Sequence, residues 1–197
     1  MTDEKRPYRK KRRAELEAET RLRITESAVE LHGTVGPART SVSAVAEHAG
    51  VRRSTVYRHF PDEAALFRAC SSHWRAANPV PDLARWAAIS DPDERLASAL
   101  AELYASYRST ERMIENLVRD QALVPSVKRQ FSSYYEYLAA ARDVLMTGRR
   151  VRGRARERLV AAIGHALAFT TWQSLAREQG LDDARAADLM CRLVAAS

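Results

Sequence analysis

The chain has 197 residues, 46% of them hydrophobic and 29% charged, with a net charge of +7. It is long enough to bury a real interior and ordinary in composition for a soluble globular protein. No apolar run approaches the roughly 18 residues of a membrane span, and the basic N-terminus lacks the apolar stretch of a signal peptide, so a cytoplasmic protein with no membrane partner is expected.

The two cysteines, Cys70 and Cys191, lie far apart and suggest no disulfide framework. Cys70 and His73 form a lone C-x-x-H with no second pair, short of the about four ligands that zinc takes; no metal site and no cofactor is expected. The charge is uneven. Met1–Arg75 holds 15 Lys/Arg against 10 Asp/Glu, and the remainder 17 against 15. A basic first third fits phosphate attraction, and it equally fits a solvated basic surface.

Residues 1–13, with Arg9, Lys10, Lys11, Arg12 and Arg13 in a row, lack apolar periodicity and read as a flexible basic arm. A helix from about Ala14 to His32 follows, with Ile24, Ala28, Leu31 and Val35 on one stripe, and Gly33, Gly36 and Pro37 end it. Ser41 offers an N-cap for a short helix, Val42–Ala49. Gly50 breaks it, and a second short helix runs from about Arg53 to Phe60. Pro61 stops that one, and Asp62 caps a helix to about Arg75. Beyond Asn78-Pro79-Val80-Pro81, Asp91 caps a helix bearing Leu96, Leu100, Leu103 and Tyr107. Another is expected from Glu111 to Ala122, then one carrying Val127, Phe131, Tyr134, Leu138 and Leu145. After the Arg-rich stretch Gly148–Gly153 come a long helix, about Ala155–Gln179, and a last one capped by Asp182. No strand or internal repeat is evident. The expected fold is all-α, with an N-terminal helical domain over 14–75 and a second helical domain over 76–197.

Val42–Phe60 is the informative stretch. Two short helices meet at a steep angle only if a small residue allows close approach, a left-handed residue makes the turn, and an apolar side chain returns to the core. Ala46, Gly50 and Val56 supply these at the required spacing, with Val45, Ala49 and Val51 at the other inward positions. The outward positions Arg53, Ser54, Thr55, Tyr57, Arg58 and His59 are all hydrogen-bond donors; arginine suits guanine edges and hydroxyls suit phosphates.

Thr40-Ser41-Val42, Val45-Ala46, Ala49-Gly50-Val51, Ser54 through Pro61 and Leu66-Phe67 together resemble the DNA-binding domain of the TetR (tetracycline-repressor-like) family of bacterial transcriptional regulators. The resemblance implies an N-terminal three-helix DNA-binding domain with a helix-turn-helix (14–75) and a C-terminal helical ligand-binding and dimerisation domain (76–197), in a homodimer that binds a palindromic operator in double-stranded DNA and is released by a small-molecule effector, with the last two helices as the dimer interface. It also implies that Thr40 and Ser41 hold phosphates, that Arg53, Ser54 and Thr55 enter the major groove, and that Tyr57 and His59 contact the backbone. Arg52 stands where many members open the recognition helix with Ser or Thr, and it joins Arg58 among the expected DNA contacts. Glu63 replaces a common lysine, so no phosphate contact is expected there, and His32 replaces an aromatic core residue.

Tyr104, Tyr107, Tyr134, His165, Phe169 and Trp172 are the candidates for an effector pocket of unknown ligand, although an aromatic stripe at helical spacing is also what a plain core looks like. The segment Arg75–Pro81 is the expected hinge. The sequence leaves open a DNA-binding regulator that has no effector and is constitutive or partner-controlled. A helical enzyme is the remote alternative: there is no P-loop, G-x-G-x-x-G, H-E-x-x-H or G-x-S-x-G, so no catalytic residue is expected.

Overall fold

The computed structural model describes residues 5–197. Ten α-helices follow in order: α1 Lys5–Thr34, α2 Val42–His48, α3 Arg53–His59, α4 Glu63–Ala77, α5 Leu83–Ala87, α6 Pro92–Asp120, α7 Pro125–Met146, α8 Gly153–Ala166, α9 Phe169–Gln173 and α10 Asp183–Ala195. A 3-10 turn, Pro37–Arg39, precedes α2, and a π-helical turn, Ser174–Glu178, follows α9. No strand occurs among the described residues.

The helix starts follow the capping chemistry of the sequence. Ser41 Oγ accepts from the Ala44 amide at 3.1 Å, Asp62 from Ala65 at 2.6 Å and Asp182 from Arg185 at 2.8 Å. Asp91 accepts from the amides of both Asp93 and Glu94. Each satisfies a donor that the first turn leaves without a partner.

Three elements differ from expectation. Of the arm expected over residues 1–13, Met1–Glu4 lie outside the described residues and Lys5–Arg13 are helical, continuous with α1. Lack of an apolar stripe excludes core packing, not helix, and Lys, Arg and Glu are good helix formers; Arg13 bonds Glu17 one turn on at 3.1 Å. The two helices expected between Asp91 and Ala122 are one, α6, because Ser109 and Thr110 turn their hydroxyls back onto the Ser106 carbonyl and stay helical. The long helix expected over Ala155–Gln179 is broken at Leu167–Ala168, with a bend of 62°.

The chain forms two compact units, one of residues up to Asn78 plus Glu115–Gln130, the other of Pro79–Ile114 and Phe131–Ser197. The division is thus not the single cut near residue 75. Val127 is fully buried in the first unit's core with Ile24, Ala28, Val45, Val56, Phe60 and Phe67, and Leu117 and Val124 pack against it. In that unit α1 packs on α2, α3 and α4. In the second, Trp86, Leu96, Leu100, Leu103, Ile163 and Leu167 are buried, and α10 packs on α8. The buried Arg95 there donates to the carbonyls of Ile89, Ser90, Val144 and Thr147, leaving no donor to spare.

His32 fills its core position beside Phe67, ring centroids 5.3 Å apart, with its Nδ1 3.4 Å from the Cys70 sulfur. Cys70 therefore pairs with His32 and not with His73. Burial pushes the Cys70 thiol up to about 12 and the His32 imidazole down to about 4, the latter against the opposing pull of the Asp120 charge. The unfolded chain takes up the His32 proton near 6.5, the folded chain only near 4. This contribution to stability is therefore complete above about pH 6.5 and falls by roughly 1.4 kcal/mol per pH unit on acidification through that window. His32→Phe is expected to flatten the pH dependence of the unfolding free energy between these limits; a slope unchanged from wild type would contradict the assignment.

Candidate nucleic-acid interface

The turn between α2 and α3 is built as its residues require. Gly50 has φ of +64°, a left-handed conformation that costs a side chain dearly, and its amide bonds the Glu47 carbonyl while Val51 bonds Ala46. Ala46 and Ala49 are buried at the approach, and Val56 is 1% exposed. With Val56 fixed inward, the rest of α3 must face out: Arg52, Arg53, Ser54, Tyr57 and Arg58 are exposed, and Thr55 is partly so. No carboxylate occurs from Arg52 to His59, so this face is cationic and rich in donors.

Each expected contact residue has a defined place. Ser41 is exposed, and since its oxygen accepts from Ala44 its proton remains free to donate. Thr40 is half-buried and donates to the Gly36 carbonyl at 2.8 Å. Arg53 Nη2 donates to the Tyr57 hydroxyl at 3.3 Å, and its guanidinium lies 5.4 Å from the Tyr57 ring centre. The two residues act as one unit on the face, a coupling that i, i+4 spacing makes legible. His59 differs: it is half-buried, and its Nε2 is covered with no hydrogen-bond partner. Burial, then the cations of Arg58 and Arg21, hold its imidazole below the ordinary range. Arg21 is a residue that the sequence did not single out. Its guanidinium sits 4.2 Å from the Phe60 ring centre and donates to the His59 carbonyl, closing the end of α3.

A short helix held by one inward valine against a glycine turn, with arginines and hydroxyls projecting into solvent, defines a helix-turn-helix DNA-binding regulator. Residues 24–70 match the family described as "Bacterial regulatory proteins, tetR family". No curated protein sequence matches the chain. Among solved structures, it is similar to a TetR-like transcriptional regulator from Rhodococcus sp. RHA1 (20% identity, 89% of this chain and 93% of that one, TM-score 0.62). It is also similar to NalD, the secondary repressor of the MexAB-OprM multidrug efflux pump in Pseudomonas aeruginosa (20%, 91% and 95%, 0.59). A third is the transcriptional regulator FadR from Bacillus subtilis in complex with stearoyl-CoA (16%, 88% and 96%, 0.55). At these identities the likeness is one of fold.

In the second unit, five of the six pocket candidates come together and one does not. Tyr104, Tyr107, Phe169 and Trp172 are buried and in ring contact, and Tyr134 joins them through a hydroxyl–hydroxyl bond to Tyr107 of 2.9 Å. His165 is exposed and lies beside Thr171. The cluster sits on the helix break. Tyr104 donates to the Ala166 carbonyl at 2.8 Å and Tyr107 to the Leu167 carbonyl at 2.6 Å, replacing donors that an unbroken helix would supply. Burial raises all three phenols, Tyr134 to about 12, so they act as neutral donors. Trp172 donates to Asp183 at 2.9 Å, and the guanidiniums of Arg108 and Arg177 lie 5.7 and 5.8 Å from its ring centre. No group of three or more His, Cys, Asp or Glu among the described residues is placed to hold a metal ion.

Removing one hydroxyl should expose how much the break depends on it. Tyr107→Phe leaves the Leu167 carbonyl and the Tyr134 hydroxyl short of a partner in a buried site, and is expected to lower the unfolding free energy by about 1–3 kcal/mol. Denaturant melts would read this, and a loss below about 0.5 kcal/mol would mean that water or a neighbour takes over.

Proposed function

We propose that the chain is a cytoplasmic, homodimeric repressor that occupies a palindromic operator and leaves it when a small molecule binds the second unit. The observation that carries the DNA half of this reading is α3: its one apolar anchor is buried and its donors face solvent, where a major groove can receive them. In the complex Arg53, Ser54 and Thr55 address base edges, while Ser41, Thr40, Arg52, Tyr57 and Arg58 contact phosphates and sugars. His59 contributes only if its ring turns outward.

Dimerisation through α8 and α10 is supported by Leu189 and Leu193, one turn apart on α10 and exposed, Leu193 by 52%. Two copies place two reading heads on half-sites about 34–36 Å apart. The effector half is supported by analogy: NalD is described as a repressor and FadR is seen with stearoyl-CoA. The effector shifts the equilibrium only by preferring a dimer whose heads are wrongly spaced, with a coupling of about 1–3 kcal/mol in typical cases. The pairing of the Tyr104, Tyr107 and Tyr134 hydroxyls inside the protein favours a second reading, a regulator controlled by a partner and not by a ligand.

Selection of bound sequences from a random DNA pool tests the reading: a palindrome is expected, and the absence of any enriched sequence would refute it. On the selected duplex, Arg53→Ala is expected to cost about 1–3 kcal/mol and to relax preference at one position, whereas Tyr57→Phe weakens binding to all sequences alike. Because Arg53 and Tyr57 touch, the double variant should lose less than the sum of the two. Fluorescence anisotropy on selected and scrambled duplexes measures all three, and strict additivity would mean that the pair separates on DNA.

A further inference from the structure

The last turn of α6 carries three polar side chains that none of the DNA contacts above uses. Asn116 is buried and donates through Nδ2 to the carbonyls of His32 at 2.9 Å and Gly33 at 3.0 Å. Arg119 Nη2 donates to the Val35 carbonyl at 3.0 Å, and Asp120, 1% exposed, accepts the Ala38 amide at 2.9 Å. Arg119 ties the three together, donating to Asn116 Oδ1 at 2.9 Å and to Asp120 Oδ1 at 2.7 Å. Three of these four backbone partners are carbonyls at the C-terminal end of α1, where a helix has no donors of its own. The fourth is an amide of the 3-10 turn, two residues before Thr40.

The loop is shaped to this clamp. Gly36, at φ +93°, is where a Cβ would collide with the Arg119 guanidinium and the Asp120 carboxylate. Burial alone would raise the Asp120 carboxyl, but Arg119 and the Ala38 amide outweigh it and hold the group below the ordinary range. The clamp is therefore charged, mutually neutralised and closed on backbone. Its register fixes the path from the end of α1 to Thr40 and Ser41, which begin the DNA-facing surface. The apolar core already joins α1 to α2, α3 and α4, but apolar packing is not directional, whereas four hydrogen bonds to named backbone atoms are.

We propose that Asn116, Arg119 and Asp120 are positioning residues for DNA recognition: they touch no DNA and set the geometry with which α2 and α3 meet it. The proposal rests on the DNA-binding reading above.

The test uses the full-length chain, the duplex that wild type selects from a random pool, and a scrambled duplex of equal length. Asn116→Asp places a carboxylate against two carbonyls, and Arg119→Gln removes the tie. Each is expected to lose about tenfold in affinity on the selected duplex and less than about twofold on the scrambled one. Exchange of the Ala38 amide should speed up, and Arg119→Lys, which keeps a cation beside Asp120, should recover part of the loss. Equal losses on both duplexes, or losses that only follow the fall in melting temperature, would reduce the three residues to fold support and overturn the proposal. If Asn116→Asp does not fold, the same comparison on Arg119→Lys against wild type decides. A wild-type chain that enriches no sequence would instead bring down the DNA-binding reading, a failure visible before any variant is made.

Discussion

Burial of Val56 is the constraint on which the reading face depends. A seven-residue helix has no stability of its own in water, so α3 exists because the protein holds it at fixed points. Val56 enters the core beside Ala46 and Ala49, Gly50 makes the turn, and Phe60 closes the far end under the Arg21 guanidinium. With those points fixed, the helical period leaves no freedom in which residues face out. The cationic, donor-rich surface is the geometric complement of one buried valine.

The second unit solves a different problem, a long apolar helix that must turn. The bend at Leu167–Ala168 frees carbonyls that would be costly if left unpaired in a dry interior. Tyrosines on α6 supply the donors, and a third from α7 completes the chain of hydroxyls. The aromatic residues at the break are thus polar structural parts as well as apolar bulk. Any ligand that enters among them has to replace, and not merely displace, these bonds.

Much of this was legible in the sequence, and the residues explain which parts were not. Caps are local: Ser41, Asp62, Asp91 and Asp182 each act on an amide two or three residues away, so their chemistry could be read directly. The helix-turn-helix was legible for the same reason, since Ala46, Gly50 and Val56 lie within eleven residues of one another. The misses are long-range. Nothing near Leu167 announces a break, because the hydroxyls that stabilise it belong to residues sixty positions earlier. Val127 looked like part of the second domain, and it belongs to the head's core because α6 and α7 bring residues 115–130 back to it. The continuity of α6 was hidden by Ser109 and Thr110, which favour breaks unless their hydroxyls fold back onto the helix. His165 shares a helix with buried residues, and only the structure places its ring in solvent.

The separation of duties on α3 has an evolutionary corollary. Val56 is the buried side chain of this helix, so on the proposed DNA-binding reading exchanges at the base-facing Ser54 or Thr55 change what is read at little cost to the scaffold. Operator preference can therefore drift, or be rewritten by design, at nearly constant folding stability. The Arg53–Tyr57 pair is the exception, since a new letter at one position has to be chosen together with the other.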